Sequence, residues 1–255
     1  MDTVKAGSGA AGPRSTVAGV RTAAFGLAIP GSVMAGATAI TILGAVLLFL
    51  LTPIYLHPAL DLAGSATILG LERDTVWRLS DQTVSEILVG PGSFALPITA
   101  GGERFYDEAE AGHLRDVRLV LYAFLALWVA GVATMVAALG WARDRVILWR
   151  AVGRGALVLA GLLTVLGAFS LIAFETAFEL FHRVFFPGGN YAFDPGSQRL
   201  VQLYPIAFWQ LTSAVLGVAA IAAALAVVFG ARRRRQVAEA AALGTSAALA
   251  AQAMP

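Results

Sequence analysis

The chain has no cysteine among its 255 residues. That excludes disulfides, thiolate metal ligands and cysteine nucleophiles. Charge is scarce as well: charged residues make up 13% of the chain against 58% hydrophobic residues, where a soluble domain carries about a quarter charged. No G-x-S-x-G elbow occurs, so the serine-hydrolase template has no support. No H-E-x-x-H spacing occurs either, so no metal site is assigned and no cofactor is expected. Gly7, Gly9 and Gly12 satisfy G-x-G-x-x-G, but no strand precedes them and no acidic partner follows, which excludes a dinucleotide site. The formal net charge of +2 sits in arginines beside apolar runs, so nucleic acid is not an expected partner.

What is present is a set of long apolar runs. Four reach the roughly 20 residues that a spanning helix needs: about Gly36–Leu56, Leu119–Trp141, Gly155–Phe174 and Ile206–Phe229. Gly131, Gly161 and Gly167 offer places for helices to approach closely. Lys5, Arg14, Arg21, Arg143, Arg145, Arg150, Arg154 and Arg232 to Arg235 flank the runs on one side, with only Asp2, Asp144 and Glu239 as acids. The other side carries 13 acids against seven arginines. The positive-inside rule then places both termini in the cytosol and the two long loops outside. The expected class is an all-α membrane protein of four transmembrane helices under a small mixed extracytoplasmic cap. Its expected divisions are a flexible cytosolic tail 1–31, spans 32–56, 119–141, 155–174 and 206–229, a cap 57–118, a cytosolic loop 142–154, an outer loop 175–205 and a basic tail 230–255. Arg232 to Arg235 reads as a topology anchor beside anionic lipid.

The cap segment is too long for a bare connector. Asp81 is placed to cap a short helix through Leu88. Phe94 to Ile98 suits a strand. Asp107 and Glu108 sit where acids favour a helix start, and that helix runs on into the second span.

The stretch Phe178–Trp209 is not built as a plain connector. Aromatic residues crowd it, as they do at membrane interfaces. Pro187 stops an arriving helix and Gly188-Gly189 lets the chain turn. His182 stands about eight residues past the third span and His113 about six before the second. Helices projecting at 1.5 Å per residue would carry both imidazoles to the same height, roughly 9–12 Å above the hydrocarbon edge. Carboxylates lie at helical spacing from each: Glu110 and Asp116 around His113, Glu179 and Glu175 before His182. A carboxylate can fix an imidazole tautomer and raise its basicity. His57, between Leu56 and Pro58, has no such company and reads as a span-end residue. The residues therefore suit histidine acid–base catalysis at the outer membrane surface, on a substrate that brings its own nucleophile.

Two blocks carry a resemblance. Glu110, His113, Asp116 and Val117 stand in E-x-x-H-x-x-D-V spacing. Phe181-His182, Phe185-Phe186-Pro187, Tyr191, Phe193-Asp194-Pro195, Leu200, Pro205 and Phe208-Trp209 form the second. Together they resemble the family of bacterial integral membrane proteins that includes the lipoprotein intramolecular transacylase. The resemblance implies four spans under an extracytoplasmic cap and catalytic His113 and His182. Its substrate would be a diacylated lipoprotein in the plasma membrane, whose sn-2 acyl chain moves to the N-terminal cysteine amine. His182 would be the base and His113 the proton relay. Asn190 or Tyr191 would donate to the oxyanion, with Glu110, Asp116, Glu179 and Asp194 in support. Arg183 and Arg199 would snorkel as structural arginines, or hold phosphate head groups or main-chain carboxylates. The alternatives are a non-enzymatic scaffold or transporter accessory, and another membrane lipid acyltransferase or hydrolase using the same pair.

Overall fold

The computed structural model describes residues 29–98 and 102–253. The Gly-rich stretch holding Lys5, Gly7, Gly9, Gly12, Arg14 and Arg21 lies outside the described residues. In chain order the helices are α1 (Gly31–Leu50), α2 (Pro53–Ala63), α3 (Ser65–Leu69), α4 (Arg73–Leu88), α5 (Glu108–Trp141), α6 (Arg145–Ile172), α7 (Phe174–Phe185), α8 (Arg199–Leu203) and α9 (Ile206–Gln252). Four of them, α1, α5, α6 and α9, are long and apolar enough to cross a membrane.

Chain-breaking residues set the boundaries. Helix α1 stops at Leu50 rather than running to Leu56, because Pro53 opens α2 at its first helical position, where the missing N–H costs nothing. Gly64 ends α2 and Gly70 ends α3, at φ 75° and 64°, left-handed values that only glycine adopts freely. The expected loop 142–154 is mostly helix: the Asp144 side chain accepts the Ile147 N–H at 2.9 Å and starts α6 at Arg145. The alanine-rich tail also continues α9 to Gln252, as alanine's top helix propensity favours.

Lipid offers no hydrophobic drive between helices, so small residues must let them approach. Gly155 of α6 meets the Ala35 backbone of α1, Gly44 of α1 lies under the Trp128 ring, and Gly131 of α5 faces Ile40. A Cβ at any of these three would collide with its neighbour. Gly161 and Gly167, expected at helix contacts, have open space around them; the packed face of α6 instead presents Ala156, Leu159 and Ala160 to Ala224 and Val228 of α9 and Ile42 of α1.

Helices α2, α3, α4 and α8 gather over the ends of α5 and α9 around a second core. Leu60, Leu79, Phe94, Phe105 and Leu203 are fully buried there. Buried hydroxyls are paired, Ser65 Oγ donating to the Leu203 carbonyl at 2.8 Å and Thr83 Oγ1 lying 2.8 Å from the Tyr106 hydroxyl. The strand expected over Phe94–Ile98 is not formed; Pro97 makes an isolated antiparallel bridge with Arg104. Asp81 is not a cap. It lies inside α4, which begins eight residues earlier at Arg73, and it accepts from His57.

Gly155→Ala should therefore lower stability by about 1–3 kcal/mol, the usual cost of overpacking, whereas Gly161→Ala should be neutral or mildly stabilising through helix propensity. Thermal unfolding of the two variants in the same detergent measures the difference; equal loss in both would contradict the packing described.

Candidate active site

Helix α5 starts on a capping box. The Asp107 side chain accepts the Glu110 N–H at 2.8 Å, and Glu110 Oε2 accepts the Asp107 N–H at 2.7 Å, so two orphan donors of the helix start are satisfied reciprocally. At 34 residues the helix is roughly 50 Å long, well beyond the hydrocarbon thickness. Its first turns stand clear of the apolar segment that begins at Leu119, and they carry His113.

At the end of α6 the chain breaks at Ala173, φ −139° and ψ 57°, and α7 sets off in a new direction. Leu180, Phe181, Val184 and Phe185 are exposed, while His182 is the buried residue of α7. An amphipathic helix with a bare apolar face suits the lipid interface. It ends at Phe185, before Pro187, and Gly189 turns the chain back at φ 74°.

The two histidines meet. Their ring centroids lie 6.1 Å apart with planes 25° from parallel. Phe178, Phe186 and Tyr191 stand 4.2, 5.6 and 5.0 Å from His182; Phe186 and Phe193 stand 4.7 and 5.5 Å from His113. His182 Nδ1 lies 2.8 Å from the Phe178 carbonyl oxygen. A carbonyl only accepts, so Nδ1 carries the proton and Nε2 keeps the lone pair. Burial, reinforced by the charge that His182 can carry, pushes the His113 pKa down to about 4, against weaker upward pulls from Asn190 and Asp116. Its Nδ1 is buried without a hydrogen-bond partner among the described residues.

The expected supporting residues act differently from expectation. No carboxylate among the described residues hydrogen-bonds either imidazole. Glu110 is buried and also accepts the Leu200 N–H at 2.6 Å; burial pushes its carboxyl up despite these backbone donors. Asp116 accepts from Asn190 Nδ2 at 2.6 Å and reaches His113 only through its charge. Glu179 is taken by Arg183 Nε at 2.8 Å and the Tyr191 hydroxyl at 3.2 Å, and the Arg183 contact holds its carboxyl below the usual range. Asp194 accepts from Gly196 N and Ser197 Oγ at 3.1 and 2.7 Å, fixing a turn. Arg199 donates to Gln202 Oε1 at 3.1 Å, and Glu175 is exposed on α7. His57 is not companionless: it stacks on Trp77 at 4.5 Å and lies 2.9 Å from Asp81 Oδ1.

Two features escaped the sequence. The Phe178 carbonyl is a backbone atom and leaves no residue-type signal. The bond between Gln198 Nε2 and Asp107 Oδ2, 3.1 Å, joins segments far apart in the chain. The Asp107-x-x-Glu110 spacing of a capping box was readable, and pointed to a structural role for Glu110.

Because the folded His113 pKa lies below the unfolded value of 6.5, the unfolded chain binds a proton that the folded ring refuses. Stability should fall as pH drops from about 6.5 to about 4. Unfolding temperatures of the wild type and His113→Asn across that window test this; the wild-type curve should be the steeper, and parallel curves would contradict it.

A family profile described as "Lipoprotein intramolecular transacylase Lit" matches residues 33–209. The chain shares its fold with a solved structure of the membrane-integral lipoprotein intramolecular transacylase Lit from Bacillus cereus, at TM-score 0.65 and 14% identity over 81% of this chain and 94% of that one. A variant of that protein with one histidine replaced by arginine aligns at TM-score 0.61 and 15% identity, over 83% of this chain and 92% of that one. An uncharacterized protein of Aquifex aeolicus is 26% identical over 149 residues, 55% of this chain and 63% of that protein. The matched region contains both histidines and all four apolar helices at least in part, and the chain is a multi-pass membrane protein of the lipoprotein intramolecular transacylase family.

Proposed function

We propose that this chain transfers the sn-2 acyl group of a diacylglyceryl-cysteine lipoprotein to the N-terminal amine of the same molecule, leaving a lyso-form lipoprotein. The observation that carries the reading is the histidine pair at 6.1 Å, walled by aromatic rings at an interfacial helix, with the His182 tautomer set by the Phe178 carbonyl.

The substrate supplies both nucleophile and ester, so no enzyme nucleophile is needed. Its α-amine has a pKa near 7.7–8 and must be neutral to attack. His182 Nε2 takes a proton from the attacking nitrogen as the N–C bond forms at the sn-2 carbonyl. The tetrahedral intermediate then expels the glycerol oxygen, breaking the C–O bond, and that oxygen receives the proton through His113. A low proton affinity suits a relay, since the proton does not rest on His113 but passes on. Asn190 is the better placed oxyanion donor of the two expected. Its amide has two N–H bonds and Asp116 takes one, whereas the single Tyr191 O–H is spent on Glu179. Closing a ring of about eight atoms is entropically poor in solution, and a shaped site holds the reactive conformer.

The scaffold alternative needs His182 satisfied by Glu179, and Glu179 is instead engaged by Arg183 and Tyr191. The arginine distribution supports an orientation with the histidine end outside and both termini in the cytosol. The chain lacks cysteine, so single cysteines report topology cleanly. Val89→Cys, at a position 82% exposed, should react with an impermeant maleimide on intact cells, and Ser246→Cys should not; the reverse pattern would overturn the orientation.

His182→Ala and His113→Ala should each reduce N-acylation by roughly 10²–10⁴-fold while the protein stays folded in the membrane. The double variant should lose little more, because both serve one proton path. Asp116→Asn should cost less, since it disturbs Asn190 rather than an imidazole. Mass spectrometry of a lipoprotein N-terminus reads each result, and full activity in well-folded His182→Ala would sink the acid–base mechanism.

A further inference from the structure

A second site lies at the other end of the bundle. Arg232 stands 26 residues beyond Ile206 on α9, roughly 39 Å along the helix from its histidine end. There α6 and α9 border a half-open cavity of about 170 Å³ lined by Trp149, Arg150, Arg154 and Leu157 from α6 and by Arg232 and Arg235 from α9.

We infer that this cavity binds the phosphate of an anionic phospholipid. Arg150 and Arg154 are one helical turn apart on one wall and Arg232 and Arg235 one turn apart on the other, so all four arginines line one cavity. Arg233 and Arg234, between them in sequence, do not line it. The run of four arginines is therefore split by helix geometry into two that line the cavity and two that do not. Among the described residues the carboxylate in reach is Glu239, 3.5 Å from Arg235 Nε, which leaves the group strongly positive. Four like charges on facing helices repel one another, and an anion between them reverses that sign. Guanidinium forks match phosphate oxygens bidentately.

The surroundings select a lipid over free phosphate. The cavity sits where the polar start of α6 gives way to its apolar run, and Leu157 is 53% exposed, so an acyl chain leaving the headgroup would lie along a lipid-facing side chain. Trp149 lines the cavity beside the start of the apolar run of α6, and indole rings favour membrane interfaces. Basic pockets between spanning helices are a known setting for anionic headgroups. This site is remote from the histidines and does not rest on the catalytic reading.

Native mass spectrometry of the full chain in neutral detergent tests it, with phosphatidylglycerol, phosphatidylcholine and inorganic phosphate as separate probes. Phosphatidylglycerol should be retained by the wild type and by Arg233→Gln/Arg234→Gln. Affinity should fall about thirtyfold in Arg150→Gln/Arg154→Gln, two charges near the surface being lost. Arg232→Gln/Arg235→Gln, on the opposite wall, should lose it similarly and stands in if the first pair misfolds. Equal loss in Arg233→Gln/Arg234→Gln would overturn the site in favour of diffuse attraction. Equal retention of phosphatidylcholine, or displacement of phosphatidylglycerol by millimolar inorganic phosphate, would overturn the anionic-lipid assignment.

Discussion

Both oxygens of the buried Glu110 carboxylate are committed to backbone. Oε2 closes the capping box on Asp107 and Oε1 takes the Leu200 N–H, 90 residues away. One side chain thus ties the start of α5, three residues before His113, to the start of α8, which ends the loop that follows His182. A hydrogen bond to a charged group is worth about 1.5–3 kcal/mol. Here it also serves a buried N–H at a helix start, which would otherwise be left unpaired. Gln198 and Asp107 add a second tie between the same two segments. With the Asn190–Asp116 and Tyr191–Glu179 bonds, these ties hold the loop after α7, with its Asn190 and Phe193, against His113. The helix cap thus contributes to the wall around the histidine pair.

The pair's chemistry follows from where it is held. The His113 imidazole, 6.1 Å from His182 among phenyl rings, does not charge easily, since burial and a charge on His182 both disfavour its cation. The depressed pKa of His113 expresses this. A ring of low proton affinity beside a second imidazole is suited to the proton relay that the proposed transfer needs. The carboxylates that the sequence places beside the rings turn out to position their neighbours: Asp116 holds Asn190, and Glu179 holds Arg183 and Tyr191.

Much of this was legible in the chain. Apolar runs announce spanning helices because lipid permits few other structures, and the two histidines sit at matched distances from their runs. Helical spacing misled where it assumed that residues on one face must touch. Glu110 shares a face with His113 yet turns back to cap the helix, because an orphan N–H competes for a carboxylate more strongly than a neutral ring. Gly161 and Gly167 read as contact glycines, but periodicity does not say which face of α6 meets α1 and which meets lipid; the contacts fall at Gly155 and Gly44. The cap was hardest, since His57, Trp77 and Asp81 come together through the crossing of α2 and α4, which no local pattern encodes.

The proposed transfer is intramolecular, which separates it from the action of any other membrane acyltransferase or hydrolase. A double-label crossover experiment addresses it directly. Two synthetic diacylglyceryl lipopeptides, one deuterated in its sn-2 chain and the other carrying a mass-shifted peptide, are mixed with the purified protein in lipid. N-acyl products should appear with every chain still on its original peptide. Statistical exchange of labelled chains between peptides, or release of free fatty acid without N-acylation, would contradict the mechanism.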